Sequence, residues 1–105
     1  IPFGKQTKTN DIFYYDDSTI SRIDGYLYFW LLVDHEEKNE FGEDSVLLYH
    51  KVDCSLGRHV WLSYLGYNKP MAQGDIITNI TTNEWKFPPP DSISLNMMNY
   101  ICENY

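Results

Sequence analysis

Few side chains in this sequence could do chemistry, and their spacing restricts what that chemistry is. Of the two cysteines, Cys54 lies in "YHKVDCSLGR" and Cys102 in "MNYICENY", too far apart for a CxxC redox motif. The three histidines, His35, His50 and His59, show no paired spacing that would complete a metal site with them. A structural disulfide, Cys54 to Cys102, is therefore the favoured reading, with a buried free pair as the alternative. Asp16, Asp17 and Asp24 could be imagined as paired carboxylates, but they fall among Ser18, Thr19 and Gly25, where Asp serves turns. Ser18, Ser45 and Ser63 lack a Gly-x-Ser-x-Gly elbow, and no glycine-rich phosphate loop is present. Nothing here predicts an enzyme, a cofactor or a catalytic residue.

These residues must be positioned by a small fold. The chain has 105 residues, and its nine Tyr, five Phe and three Trp favour strands. "GYLYFWLLVD" carries the strongest signal: Leu27, Phe29, Leu31 and Val33 would face one way, and Tyr26, Tyr28, Trp30 and Leu32 the other. Apolar residues on both faces suit a central strand. "DIFYYD" precedes it as a short strand, followed by the turn-rich link "DDSTISRIDG". The charged stretch "HEEKNEFGEDS" reads as an exposed connection that buries little.

"SVLLYHKVDC" and "GRHVWLSYLGY" follow as a hairpin around "SLG". In the first, Val46, Leu48, His50, Val52 and Cys54 share a face. In the second, Val60, Leu62 and Tyr64 share one face, with Trp61 and Leu65 on the other. "IITNI" and "NEWKF" suggest a last pairing, stopped by Pro88 to Pro90. Asp91 or Ser92 can then cap a helix whose apolar face holds Ile93, Met97 and Ile101, with Leu95, Met98 and Cys102 beside them. A terminal helix frays easily, and a link from Cys102 to Cys54 would pin it to the sheet. The expectation is an α+β domain over residues 11–105, preceded by a flexible arm over residues 1–10.

Charge and compartment narrow the partners. A net charge of −7 opposes nonspecific attraction to nucleic acid or an anionic bilayer. No apolar run is long enough for a membrane-spanning helix, "YLYFWLLV" being too short. A persistent disulfide implies an oxidising compartment, hence export to the periplasm, the outer-membrane surface or the medium. The chain starts without Met, so a signal or lipid-anchored segment ahead of Ile1 is compatible with it.

The ordered set "FYYDDSTISRIDGYLYFWLLVDH", "SVLLYHKVDC", "RHVWLSYLGY", "KPMAQGDII", "EWKFPPPDSI" and "MNYIC" resembles the surface-adhesin protein E family of bacteria, from about Phe13 to Cys102. The resemblance implies a twisted antiparallel sheet of about six strands with a C-terminal helix held on one face by a disulfide. It also implies export; the best-known member of the family is an adhesin that binds host extracellular-matrix and plasma proteins, and haem has been attributed to that member as well. The acidic "HEEKNEFGED" stands where Lys- and Arg-containing segments carry partner binding in the adhesin, so no contact residue is carried over.

The residues left for function are aromatic. Tyr26, Tyr28, Trp30, Trp61 and Tyr67 cannot all face the helix, so they form the candidate protein interface on the opposite face, with a homodimer through that face or the sheet edges as a further use. His50, on the helix side, is either a hydrogen-bonded core histidine or part of a small-ligand pocket between sheet and helix. His35 reads as a solvated loop residue, and His59 as a neighbour of Trp61 on an exposed face.

Overall fold

The computed structural model describes residues 2–5 and 10–105. Strands β1 (Pro2–Lys5), β2 (Ile12–Tyr15), β3 (Ser21–Ile23), β4 (Tyr26–Asp34), β5 (Ser45–Asp53), β6 (Arg58–Lys69) and β7 (Gln73–Thr81) are followed by helix α1 (Ile93–Asn104). All seven strands join one antiparallel sheet in the order β1-β2-β4-β5-β6-β7, with β3 forming a short hairpin on β4. Four residues of the expected flexible arm thus lie in the sheet, since β1 pairs with β2; residues 6–9 and Ile1 lie outside the described residues. The loop expected between β2 and β4 contains a 3-10 turn, Asp17–Thr19, in which Asp16 accepts from the Ser18 amide and hydroxyl. Asp16 and Asp17 therefore serve a turn.

β4 is the centre of the architecture, as its two-sided apolar pattern required. Its buried and half-buried residues alternate without a break. Leu27, Phe29, Leu31 and Val33 pair with Val52, His50, Leu48 and Val46 of β5, so one face of two adjacent strands is continuous hydrocarbon with a single imidazole in it. Helix α1 covers that face. Ser92 caps it by accepting from the Leu95 amide, and Met97, Met98 and Ile101 are buried against the sheet. Burying side chains of this size contributes about 1.5–3 kcal/mol each.

The covalent link is Cys54–Cys102, with Cα atoms 5.9 Å apart. It joins the residue after β5 to the last turn of α1. At the same end of the helix, Phe3, Tyr15, Tyr100 and Tyr105 form a ring cluster of edge-to-face and tilted contacts that ties β1 and β2 to it.

Two elements depart from the alternating pattern. In the β5–β6 ladder Tyr49 faces Ser63 but His50 faces Trp61, so Leu62 is an extra, bulged residue. Every side chain of β6 before the bulge changes face relative to simple alternation. The "NEWKF" stretch does not pair with β7; it makes a single bridge, Lys86 to His59, while Trp85 is drawn onto Tyr26 at 5.6 Å and lies under Arg58 at 4.2 Å.

Candidate functional site

The sheet presents two different chemical environments. On the side away from α1, Trp30 and Tyr49 pack with ring centroids 4.8 Å apart, and Tyr28 stands 6.2 Å from Tyr49. Lys51 lies over this row, its Nζ 4.5 Å from the Tyr26 ring. Tyr67, opposite Ser45 in register, stands at the far end of the same face. A shallow depression of about 440 Å³ opens beside Trp30, floored by Leu32 and Leu47 and edged by Tyr14, Asp16 and Met71. Met71 belongs to the 3-10 turn Pro70–Ala72, which is fixed over the sheet by its amide donating to Asp34 and by Ala72 donating to the Ser45 hydroxyl. Four of the five expected interface aromatics, Tyr26, Tyr28, Trp30 and Tyr67, share this face.

Trp61 does not. The bulge at Leu62 turns it to the helix side, where its indole Nε1 donates to His50 Nε2 at 2.9 Å. His59 turns with it and is buried, stacked on His50 with centroids 5.3 Å apart; Phe29 stacks on the other face of His50 at 5.2 Å. Neither residue belongs to an exposed surface, contrary to simple alternation along β6. Burial, reinforced by the charge of His59, pushes the His50 pKa down to about 3. Burial and then Lys86 lower that of His59. His50 is therefore a neutral imidazole. Since an indole N–H can only donate, His50 Nε2 accepts and Nδ1 carries the proton.

A smaller pocket, about 220 Å³, lies on this side between the sheet and the start of α1. Phe13, Leu31, Val33, Val46 and Leu48 form its apolar wall, with His50 and Trp61 at one end. The other end is polar: Asp11, His35, Asn39, Tyr64 and Ser94. His35 is held there by Nδ1 bonding Asp11 at 2.9 Å, so it is not the solvated loop residue its neighbours suggested. The acidic connection is also less exposed than its composition implies. Glu43 is fully buried, accepting from Asn39 Nδ2 at 2.8 Å and from the Tyr64 hydroxyl at 2.7 Å. Burial works to raise its pKa, but hydrogen bonds from Thr78, Asn39 and Tyr64 hold it below the usual carboxylate value; burial and the same carboxylate push the Tyr64 phenol up. Gly66 makes the space, since a Cβ there would sit 1.9 Å from Glu43 Oε2. A lone glycine in the middle of an aromatic strand was the sequence signal for this burial.

Among the described residues no cluster of three or more His, Cys, Asp or Glu could hold a metal ion, and no helix is long and apolar enough to cross a membrane.

A sequence profile described as surface-adhesin protein E matches residues 2–103. The chain belongs to this family. Its fold is that of a solved structure, protein E from non-typeable Haemophilus influenzae, with a TM-score of 0.66, 16% identity, and coverage of 99% of this chain and 76% of that one. No curated protein matches it in sequence. The adhesin E fold thus accounts for the sheet and the covering helix. It is the framework that leaves the aromatic face of β4 and β5 without a helix over it.

Proposed function

We propose that this chain is an exported, non-enzymatic, adhesin-like domain that binds partner proteins with the face of the sheet opposite α1. One observation carries the reading: α1 covers one face only, and the other presents Trp30, Leu32 and Leu47 around an open depression, with Tyr49 packed on Trp30. Aromatic side chains on a rigid sheet give large contact area at little conformational cost, which is the composition of interface hot spots. Membership in a family of surface adhesins supports both export and the absence of chemistry, and the disulfide fits an oxidising compartment. The partners that this reading names are proteins of the extracellular matrix or plasma.

The test is surface plasmon resonance of the purified domain against a panel of such proteins, with Trp30→Ala and Tyr49→Ala as probes. Loss of at least about tenfold in affinity, roughly 1.4 kcal/mol, with unchanged circular dichroism supports the reading. Binding that survives both substitutions unchanged removes it. Light scattering on the same samples tells whether a second copy competes for the face.

A further inference from the structure

We propose that the pocket between the sheet and the start of α1 binds a small organic ammonium ion, its apolar body on Leu31, Leu48 and Trp61 and its charge toward Asp11, His35 and Glu43. This site is independent of the aromatic face, from which the sheet separates it. The pocket's volume of about 220 Å³ exceeds the ~150 Å³ that accommodates benzene in an engineered protein cavity. It is too small for a drug-sized ligand, for which pockets start at about 300 Å³. One ring or a short alkyl chain with a single polar head fits.

The polar end decides the charge of that head. Asp11 is nine-tenths buried and lines the pocket; its carboxylate bonds His35 and accepts from the Glu36 amide, and among the described residues no Lys or Arg pairs with it. Glu43 stands behind Asn39 and Tyr64, fully buried and likewise without a Lys or Arg partner among the described residues. Carboxylates taken out of water are ordinarily paired with a cation. His35 Nδ1 bonds Asp11 at 2.9 Å, and its other ring nitrogen, Nε2, is buried with no partner among the described residues. Two buried carboxylates thus face a single imidazole at this end of the pocket. An ammonium supplies three donors and a balancing positive charge. Trp61, at the opposite end, already carries an ammonium over its ring, the exposed Lys86 Nζ at 5.8 Å.

The experiment is an amide and side-chain NMR titration of the intact protein at constant ionic strength with three probes of one shape: phenethylamine, 2-phenylethanol and phenylacetate. Phenethylamine is expected to shift the Asn39 side-chain amide and the Trp61 indole N–H with a Kd of about 1 mM or below. The alcohol should bind about tenfold more weakly or worse, and phenylacetate not at all. Asp11→Asn should weaken the amine by a similar factor. Should that variant not fold, Ser94→Trp, at the half-exposed first turn of α1, closes the mouth instead and should abolish the shifts. An Nα-acetyl-lysine methylamide arm that outcompetes phenethylamine assigns the ammonium to a protein side chain, and one that loses assigns it to a free amine; both fit the proposal. Equal binding of the alcohol or the acid, no shifts with phenethylamine, or shifts that persist in folded Ser94→Trp would overturn it.

Discussion

Replacing Gly66 with Ala tests the buried carboxylate directly. The added Cβ would stand 1.9 Å from Glu43 Oε2 and 2.5 Å from its carboxyl carbon, against an ordinary contact of about 3.5–4 Å. Glu43 must move by more than an ångström or β6 must shift. A move of that size breaks the bonds from Asn39 at 2.8 Å and Tyr64 at 2.7 Å. Hydrogen bonds to a charged group are worth about 1.5–3 kcal/mol each, and overpacking costs about 1–3 kcal/mol. Because the carboxylate regains some water on leaving, the expected loss is about 3–5 kcal/mol. With an m-value of about 1.5 kcal/mol/M the urea midpoint falls by roughly 2–3 M. The partner substitution Glu43→Ala removes the obstacle, so the double variant should lose less than the two single losses added, by at least about 1 kcal/mol. A Gly66→Ala protein within about 0.5 kcal/mol of the wild type, the size of an ordinary surface change, would refute the reasoning, as would strict additivity.

Other perturbations have equally definite outcomes. Cys54→Ser with Cys102→Ser opens a loop of 48 residues, at a cost of about 4 kcal/mol; native-state hydrogen exchange should show α1 as the first element to open. Trp61→Phe leaves the buried His50 Nε2 without a donor, so urea unfolding should report a loss of about 1–3 kcal/mol. His50 has a folded-state pKa of about 3 against its ordinary 6.5, so the unfolded chain takes up a proton that the folded one refuses. Stability is thus complete above about pH 6.5 and declines as pH falls toward 3, and in His50→Gln the urea midpoint should fall less between pH 7 and 4.5. Glu43 and Asp53, both held below their ordinary values of 4.5 and 3.8, add a further loss below those values.

The parts of the fold that were legible in the sequence are those where one physical rule acts alone. Alternation in β4 and β5 placed Leu27, Phe29, Leu31, Val46, Leu48 and His50 on the helix side, because an unbroken pleat has a period of two. The helix face of Met97, Met98 and Ile101 followed from its spacing, and its start from Ser92. β6 broke the rule, since a bulge is a matter of one strand's length against its neighbour's, and no residue type at Leu62 announces it. That single extra residue turned Trp61, expected in the interface, and His59, expected on an exposed face, to the helix side, where His59 is buried and Trp61 packs against the core. Glu43 was hidden for a related reason: five acidic side chains in one short connection look solvated, and only the facing Gly66, a strand away, makes room for one of them. β1 was missed because its partner strand, rather than its own composition, pairs it into the sheet.

The position of the disulfide also bears on mechanics. A pull on the two ends of the chain passes from Cys54 straight to Cys102, so β6, β7 and α1 hang as an unloaded side loop. The load falls on the strands before Cys54, above all on the β4–β5 ladder running from Leu27–Val52 to Asp34–Ser45. Reducing the bond would release the segment between the cysteines, a sequence separation of 48, about 170 Å of additional reach at ~3.5 Å per residue. The oxidation state of this one bond thus sets how far the chain can stretch under load.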